Sequence, residues 1–274
     1  MPILNAPDGA EIYYEECGAG RPLVLLHGWA GSGRFWRWQT EAFATGCRVI
    51  VPDLRGHGRS AGDGVTFTID GCIADLVALF DELELTDALL VGWSLGGQAA
   101  LAAVPRLRDR LAGLVLVACP PKYSASADYP HGLPPNEVKG LSLLMRRDPD
   151  RALGEFFRRM FAPGELDEAQ YQRIVHEIVM AGRKPTPEAA RAALAELDRT
   201  DLRDILPAID LPTLLIHGTA DTICLPAASR YLMERMPAAV LEILPRLGHA
   251  PQLSRPAQFN ALVAGFLEGL HAAD

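Results

Sequence analysis

The chain has no apolar run long enough to cross a bilayer: its longest, such as Leu111 to Cys119, fall far short of the ~20 residues a membrane helix needs. The five cysteines, Cys17, Cys47, Cys72, Cys119 and Cys224, are odd in number and scattered, with no C-x-x-C pair. That usage argues against a disulfide framework and suits thiols in a reducing compartment, so a cytoplasmic protein is expected. Positive charge is in deficit, with 26 Lys and Arg against 34 Asp and Glu and a net charge of −8. Nucleic acid is therefore not an expected partner, because phosphate binding rests on clustered positive charge. The first twenty residues carry Asp8, Glu11, Glu15 and Glu16 and lack a basic stretch leading into an apolar one, so no signal peptide is expected. H-E-x-x-H, EF-hand and Walker patterns are missing. The segment Gly31-Ser32-Gly33-Arg34-Phe35-Trp36 opens like a dinucleotide fingerprint, but Trp36 occupies the third glycine position. No metal or cofactor is expected.

What is present is an ordinary globular composition, 49% apolar and 22% charged over 274 residues. Short runs rich in Val, Leu and Ile recur at Leu23–Leu26, Arg48–Pro52, Ala88–Gly92, Gly113–Ala118, Thr213–His217 and Val240–Leu244. Such continuous runs suit strands covered on both faces. Helical patterns at Ile69–Leu83 and Leu95–Val104 complete the βαβ alternation of a parallel sheet. Asp8-Gly9 before Ile12–Glu15 reads as a hairpin turn. The rhythm breaks after Cys119, where five prolines fall between Pro120 and Pro135 and allow neither helix nor central strand. From there to about Pro207 only helical patterns occur, among them Asp150–Phe161 and Asp167–Ala181. The expected organisation is an α/β core over 1–120 and 208–274 with a helical cap inserted over 121–207, too long for an unstructured loop.

The strongest local signal is Gly92-Trp93-Ser94-Leu95-Gly96-Gly97, between a strand pattern and an Ala-rich helix. This is G-x-S-x-G in strand–turn–helix context, where small residues allow a turn sharp enough to expose the serine hydroxyl. A serine is a poor nucleophile unless a base takes its proton and an acid orients that base. In the order nucleophile, acid, histidine, Asp221 follows the Thr213–His217 run and His249 follows the Val240–Leu244 run, both at strand C-terminal ends where open α/β sheets gather functional residues. Asp210 precedes its strand, and Asp198, Asp201 and Asp204 lie in a helical setting. His131 and His176 fall in the insertion, His217 ends a strand and His271 is close to the C-terminus. Two backbone N–H groups are expected to face a developing oxyanion, those of Leu95 and of Trp29 in His27-Gly28-Trp29. His27 reads as structural. The stretch Asp53-Leu54-Arg55-Gly56-His57-Gly58-Arg59-Ser60 reads as a tight turn.

Together His27-Gly28-Trp29, Asp53 to Ser60, Gly92 to Gly97, Asp221 and His249 resemble the α/β-hydrolase superfamily over nearly the whole chain. The likeness is greatest to the pimeloyl-[acyl-carrier protein] methyl ester esterases of biotin synthesis. It rests on Leu26-His27-Gly28-Trp29, the elbow, the loop Tyr123 to Gly132, and His249-Ala250-Pro251 running on to Ser254-Arg255-Pro256-Ala257-Gln258-Phe259. The resemblance implies an eight-stranded, mostly parallel sheet with a helical cap, a Ser94–Asp221–His249 triad, and a carboxylic ester substrate hydrolysed without a cofactor. It further implies an acyl pocket at Trp29, Tyr123, Phe157, Met160 and Phe161, and an acyl carrier protein docked on Arg147, Arg151 and Arg158. These arginines share one face if a single helix carries them; otherwise they are a solvated surface. Asp8-Gly9 and Arg55-Gly56-His57-Gly58 are closer to the wider group of esterases, lactonases and cofactor-free perhydrolases. An enol-lactone hydrolase is the nearest rival, and a non-catalytic binding protein on the same fold is the remote one. A monomer or small homo-oligomer is expected.

Overall fold

The computed structural model describes residues 2–62, 65 and 67–270, together with the backbone of His271. In chain order its elements are β1 (Ile3–Asn5), β2 (Glu11–Cys17), β3 (Arg21–Leu26), α1 (Arg37–Phe43), β4 (Cys47–Pro52), α2 (Ile69–Glu82), β5 (Ala88–Trp93), α3 (Leu95–Leu107) and β6 (Leu111–Val117). Four helices follow, α4 (Pro135–Arg147), α5 (Pro149–Arg159), α6 (Glu168–Ile174) and α7 (Pro187–Arg199). The core resumes with β7 (Thr213–Gly218), α8 (Pro226–Arg235), β8 (Ala239–Leu244), α9 (Pro251–Ser254) and α10 (Pro256–His271).

The eight strands form one sheet in the order β1-β2-β4-β3-β5-β6-β7-β8. β1 and β2 pair antiparallel, as do β2 and β4; every other pair is parallel. The Asp8-Gly9 pair turns the chain between the first two strands, where Ala10 N donates to Asp8 Oδ1 at 3.1 Å. Every residue of β5 and β7 is buried, as expected for parallel strands covered on both faces. β8 closes the edge, alternating between half-buried and exposed positions. This is the α/β-hydrolase architecture that the sequence predicts. All of α4 to α7 lies between β6 and β7, so the helical insertion interrupts the chain once.

One expectation about the insertion needs correction. No single helix carries Arg147, Arg151 and Arg158, because α4 ends at Arg147 and α5 begins at Pro149. The Asp148 side chain accepts from Arg151 N at 3.0 Å and caps the second helix, with Pro149 in its first turn. Aspartate followed by proline is a helix start rather than an interior. The segment read as one helix over Asp167–Ala181 is α6 followed by a π-helical turn, Val175–Val179.

Behind the strand ends, the Asp53–Ser60 stretch is a turn held by buried polar contacts. Asp53 accepts from Gly33 N at 2.6 Å and from Arg59 N at 2.8 Å. Gly58 has φ +52°, and a Cβ there would stand 2.2 Å from the Asp53 carboxylate, so only glycine fits. Arg55 forks onto both oxygens of Asp75 at 2.7 and 2.6 Å and reaches Asp8 at 2.9 Å. His27 Nε2 accepts from Leu54 N at 3.0 Å while its Nδ1 donates to Gly28 O at 2.8 Å. With both nitrogens engaged, His27 holds the loop that carries Trp29.

His27 and His57 lie edge to face, 5.4 Å apart. Burial lowers the His27 pKa to about 4. Burial and the neighbouring His27 lower that of His57 to about 3. As pH falls below the ordinary histidine value the unfolded chain takes up protons that the fold refuses, so stability drops. Urea unfolding is therefore expected to show stability falling by about 1.4 kcal/mol per pH unit for each histidine between about pH 6.5 and 4. His57→Gln should remove about half of that slope. A midpoint flat across this window would contradict the assignment.

Candidate active site

Ser94 joins β5 to α3 with φ 55° and ψ −114°, a strained backbone for a residue with a Cβ. Two close approaches make the turn possible. A Cβ on Gly92 would stand 2.4 Å from Gly96 O, and one on Gly96 would stand 2.4 Å from Leu26 O. The turn is tied to the sheet by Ser94 N donating to Val117 O at 2.9 Å. Ser94 is 2% exposed, covered by the surrounding structure.

Asp221 and His249 meet as their strand-end positions predict. His249 Nδ1 donates to Asp221 Oδ2 at 2.8 Å, which leaves the Nε2 lone pair free to accept. Nε2 is buried and has no hydrogen-bond partner among the described residues. The ring packs against Trp93, the residue before the serine, at 5.4 Å between centroids, and Trp93 Nε1 donates to His249 O at 2.8 Å. Ser94 Oγ does not bond Nε2 in this conformation; its near contact is Cys224 Sγ at 4.0 Å. The Asp221–His249 pair is assembled, and Ser94 is not hydrogen-bonded to it.

Sequence reasoning set His217 aside as a strand-end residue, yet it is part of this cluster. Its Nε2 lies 2.8 Å from Cys224 O and 3.1 Å from Asp221 Oδ2, two acceptors, so Nε2 carries the ring proton. Ser229 Oγ lies 2.6 Å from Nδ1 and donates to it. The other Asp221 oxygen accepts from Ile223 N at 2.8 Å and Cys224 N at 3.0 Å. Burial by itself would raise the Asp221 pKa; the charge of His249 and the hydrogen bonds from both histidines outweigh it and hold the carboxyl well below the usual range. The available signal was the fourfold spacing of His217 and Asp221 around a turn, and it needs α8 to bring Ser229 alongside.

Of the two expected oxyanion donors, Leu95 directly follows the serine. Leu95 opens α3, and an N–H in a first helical turn has no acceptor within the helix. Trp29 N has no hydrogen-bond acceptor among the described residues. The Trp29 indole is fixed by Nε1 donating to Ala190 O at 2.7 Å and by an edge contact with Phe156 at 4.6 Å. Tyr123 is buried; desolvation, Cys224 and Asp221 push its hydroxyl pKa well above the usual value. Trp29, Phe157 and Met160 line a narrow cavity of about 50 Å³. Tyr123 does not, and neither does Phe161, which lines a surface groove with Arg158 and Arg159 and touches Phe157 edge-on at 5.7 Å. Ser94 and His249 are not among the cavity-lining residues.

The insertion grips the histidine loop. Met160 O accepts from His249 N at 2.7 Å, and the buried Glu165 accepts through Oε2 from Gly248 N at 2.8 Å and Ala162 N at 2.6 Å. Glu165 is a positioning residue that the sequence did not single out. The alternatives lie elsewhere. Asp210 pairs with Arg108 at 2.7 Å, Asp201 with Lys122 and Arg203, and Asp198 accepts from Ser124. His131 packs on Tyr129 and Tyr231; the His271 side chain lies outside the described residues. Among the described residues no group of three metal-ligating side chains occurs.

Because His217 and His249 share one oxygen of Asp221, removing one donor concentrates the carboxylate charge on the other. In His217→Leu the His249 Nδ1 proton should shift further downfield by proton NMR, and unfolding should become easier by about 1–3 kcal/mol from the lost hydrogen bond to a charged group. An unmoved proton signal would show that His217 does not share the carboxylate.

The sequence matches the description "Alpha/beta hydrolase family" over residues 23–262. It is 34% identical over 258 residues to a pimeloyl-[acyl-carrier protein] methyl ester esterase of Nitrosomonas europaea, covering 91% of this chain and 97% of that protein. It is also 34% identical over 267 residues to a putative non-heme chloroperoxidase of a Synechocystis species, covering 94% and 95%. Among solved structures, the esterase EaEST from Exiguobacterium antarcticum superposes with a TM-score of 0.90 at 26% identity, over 97% of this chain and 98% of that one. Fold, elbow and extent of match agree: the chain belongs to the alpha/beta hydrolase family.

Proposed function

We propose that this protein is a serine carboxylesterase, with Ser94 as nucleophile, His249 as base and then acid, and Asp221 as the group that orients the imidazole. The observation that carries the reading is a buried histidine, locked through Nδ1 onto a buried carboxylate with its Nε2 unengaged, packed beside the strained turn that holds Ser94. Rotation of the Ser94 side chain away from Cys224 brings Oγ to Nε2. Nε2 takes the hydroxyl proton as Oγ bonds to the ester carbonyl carbon, and the N–H groups of Leu95 and Trp29 receive the oxyanion. Collapse of the adduct breaks the bond to the alkoxy oxygen, which leaves as the alcohol with the proton from Nε2. Water then gives a proton to Nε2 and its oxygen to the acyl carbon, and the acid leaves as Ser94 regains its proton. The insertion acts as a cap whose Phe157 and Met160 line the acyl side.

The finer substrate assignment is a pimeloyl-[acyl-carrier protein] methyl ester, supported by the likeness to the Nitrosomonas enzyme. Arg147, Arg151 and Arg158 are exposed; Arg151 is tied to Glu155 at 2.7 Å, so a docked acidic carrier would engage Arg147 and Arg158 first. A second reading, a cofactor-free perhydrolase in which hydrogen peroxide replaces water on the acyl-enzyme, is favoured by the likeness to the putative chloroperoxidase.

Ser94→Ala is expected to lower kcat on p-nitrophenyl acetate by at least about 10³-fold while folding normally by circular dichroism; turnover near the wild-type rate would refute the nucleophile. For the finer assignment, kcat/KM on methyl pimeloyl-carrier protein should exceed that on short p-nitrophenyl esters and fall when Arg147, Arg151 and Arg158 become Glu. Fast short-ester turnover with little activity on the carrier-bound ester would leave a small-molecule esterase.

A further inference from the structure

The cavity beside Trp29 has apolar walls, including Phe35, Phe156, Phe157 and Ile178, but the exposed Arg183 and Lys184 also line it. It adjoins a second, polar cavity of about 30 Å³, and Ser32, Gly182 and Arg183 line both. Ser32 is 5% exposed, and its Oγ is buried with no hydrogen-bond partner among the described residues. A buried hydroxyl without a partner is costly unless something that enters the cavity satisfies it.

The second cavity is lined by charged side chains of both signs. Arg34, Arg59 and Arg183 face Glu15 and Asp53. Arg59 lies 3.7 Å from Glu15, and Asp53 is occupied by two backbone N–H groups. Lys184 pairs with Asp150 at 3.5 Å. Arg34 and Arg183 make no ion pair among the described residues. Arg34 and Arg183 are therefore the two guanidiniums here available to a bound anion.

Resting on the serine esterase reading but not on the carrier-bound substrate, whose chain ends in a thioester, we propose that the preferred substrates are esters whose acyl chain ends in a free carboxylate. The apolar stem lies in the cavity beside Trp29, and the terminal carboxylate is held by Arg183 and Arg34 with Ser32 Oγ as a further donor. A guanidinium presents paired donors that match a carboxylate. Trp29 links the two parts in the proposal, because it is the expected oxyanion donor and also lines the stem cavity.

The test compares mono-p-nitrophenyl adipate with p-nitrophenyl hexanoate, two esters of equal carbon count that differ in the terminal charge. At low salt the adipate ester should have a kcat/KM at least about tenfold higher, in line with charge-assisted hydrogen bonds. Arg183→Ala with Arg34→Ala should abolish that advantage, lowering kcat/KM on the adipate ester by about tenfold more than on the hexanoate ester, and Ser32→Ala should reduce it in part. Equal rates on the two esters, or a preference that survives the double arginine substitution, would overturn the proposal. Calorimetry on Ser94→Ala with methyl hydrogen adipate and methyl hexanoate reads binding without turnover. There the adipate ester should bind more tightly, and equal binding would overturn the carboxylate site. Failure of the wild-type protein to hydrolyse either p-nitrophenyl ester would count against the esterase reading, while the calorimetry would still decide the site.

Discussion

A carboxylate with no solvent contact has to be satisfied by the protein alone, and Asp221 is the point around which this end of the molecule is organised. Two backbone N–H groups hold one oxygen and two histidines share the other. Those donors come from different elements: Ile223 and Cys224 from the loop after β7, His217 from the end of β7 itself, and His249 from the loop after β8. Any displacement of one element leaves a buried charge short of a donor, which is among the more expensive defects a fold can contain. The requirement therefore fixes the β7 and β8 loops relative to each other, and His249 emerges from it with one nitrogen committed and the other available.

The insertion completes this arrangement rather than sitting passively over it. His249 N and Gly248 N are both held by insertion groups, Met160 O and the Glu165 carboxylate. Arg255 Nη2 donates to Glu165 O at 2.8 Å from the opposite side. The Trp29 loop is tied to α7 through Ala190 O. Both loops that would serve the reaction are thus hydrogen-bonded to the helices above them, so movement of those helices would disturb the base and the oxyanion donors together.

Much of this was legible in the sequence because the constraints are local. Continuous apolar runs announce buried parallel strands, and the small residues at Gly92 and Gly96 announce a turn with no room for a Cβ. Asp221 and His249 were legible through their positions just past strand runs. What was not legible depends on spatial neighbours. His217 looked structural because its partners, Cys224 O and Ser229, are brought to it only by the turn into α8. Glu165 gave no signal because the donor it holds in the histidine loop, Gly248 N, lies 83 residues away. The arginine stripe shares one face only if a single helix carries it, and that condition is not met for a local reason: Asp148-Pro149 ends one helix and caps the next.

The central claim is that Ser94 is activated by a histidine held on a buried aspartate, and reaction with a fluorophosphonate reads that activation directly. The account predicts one covalent adduct per chain, mapped by mass spectrometry to Ser94. It also predicts that Asp221→Asn slows labelling by orders of magnitude while the chain stays folded. No adduct under conditions that label other serine esterases, or an adduct on a residue other than Ser94, would contradict it.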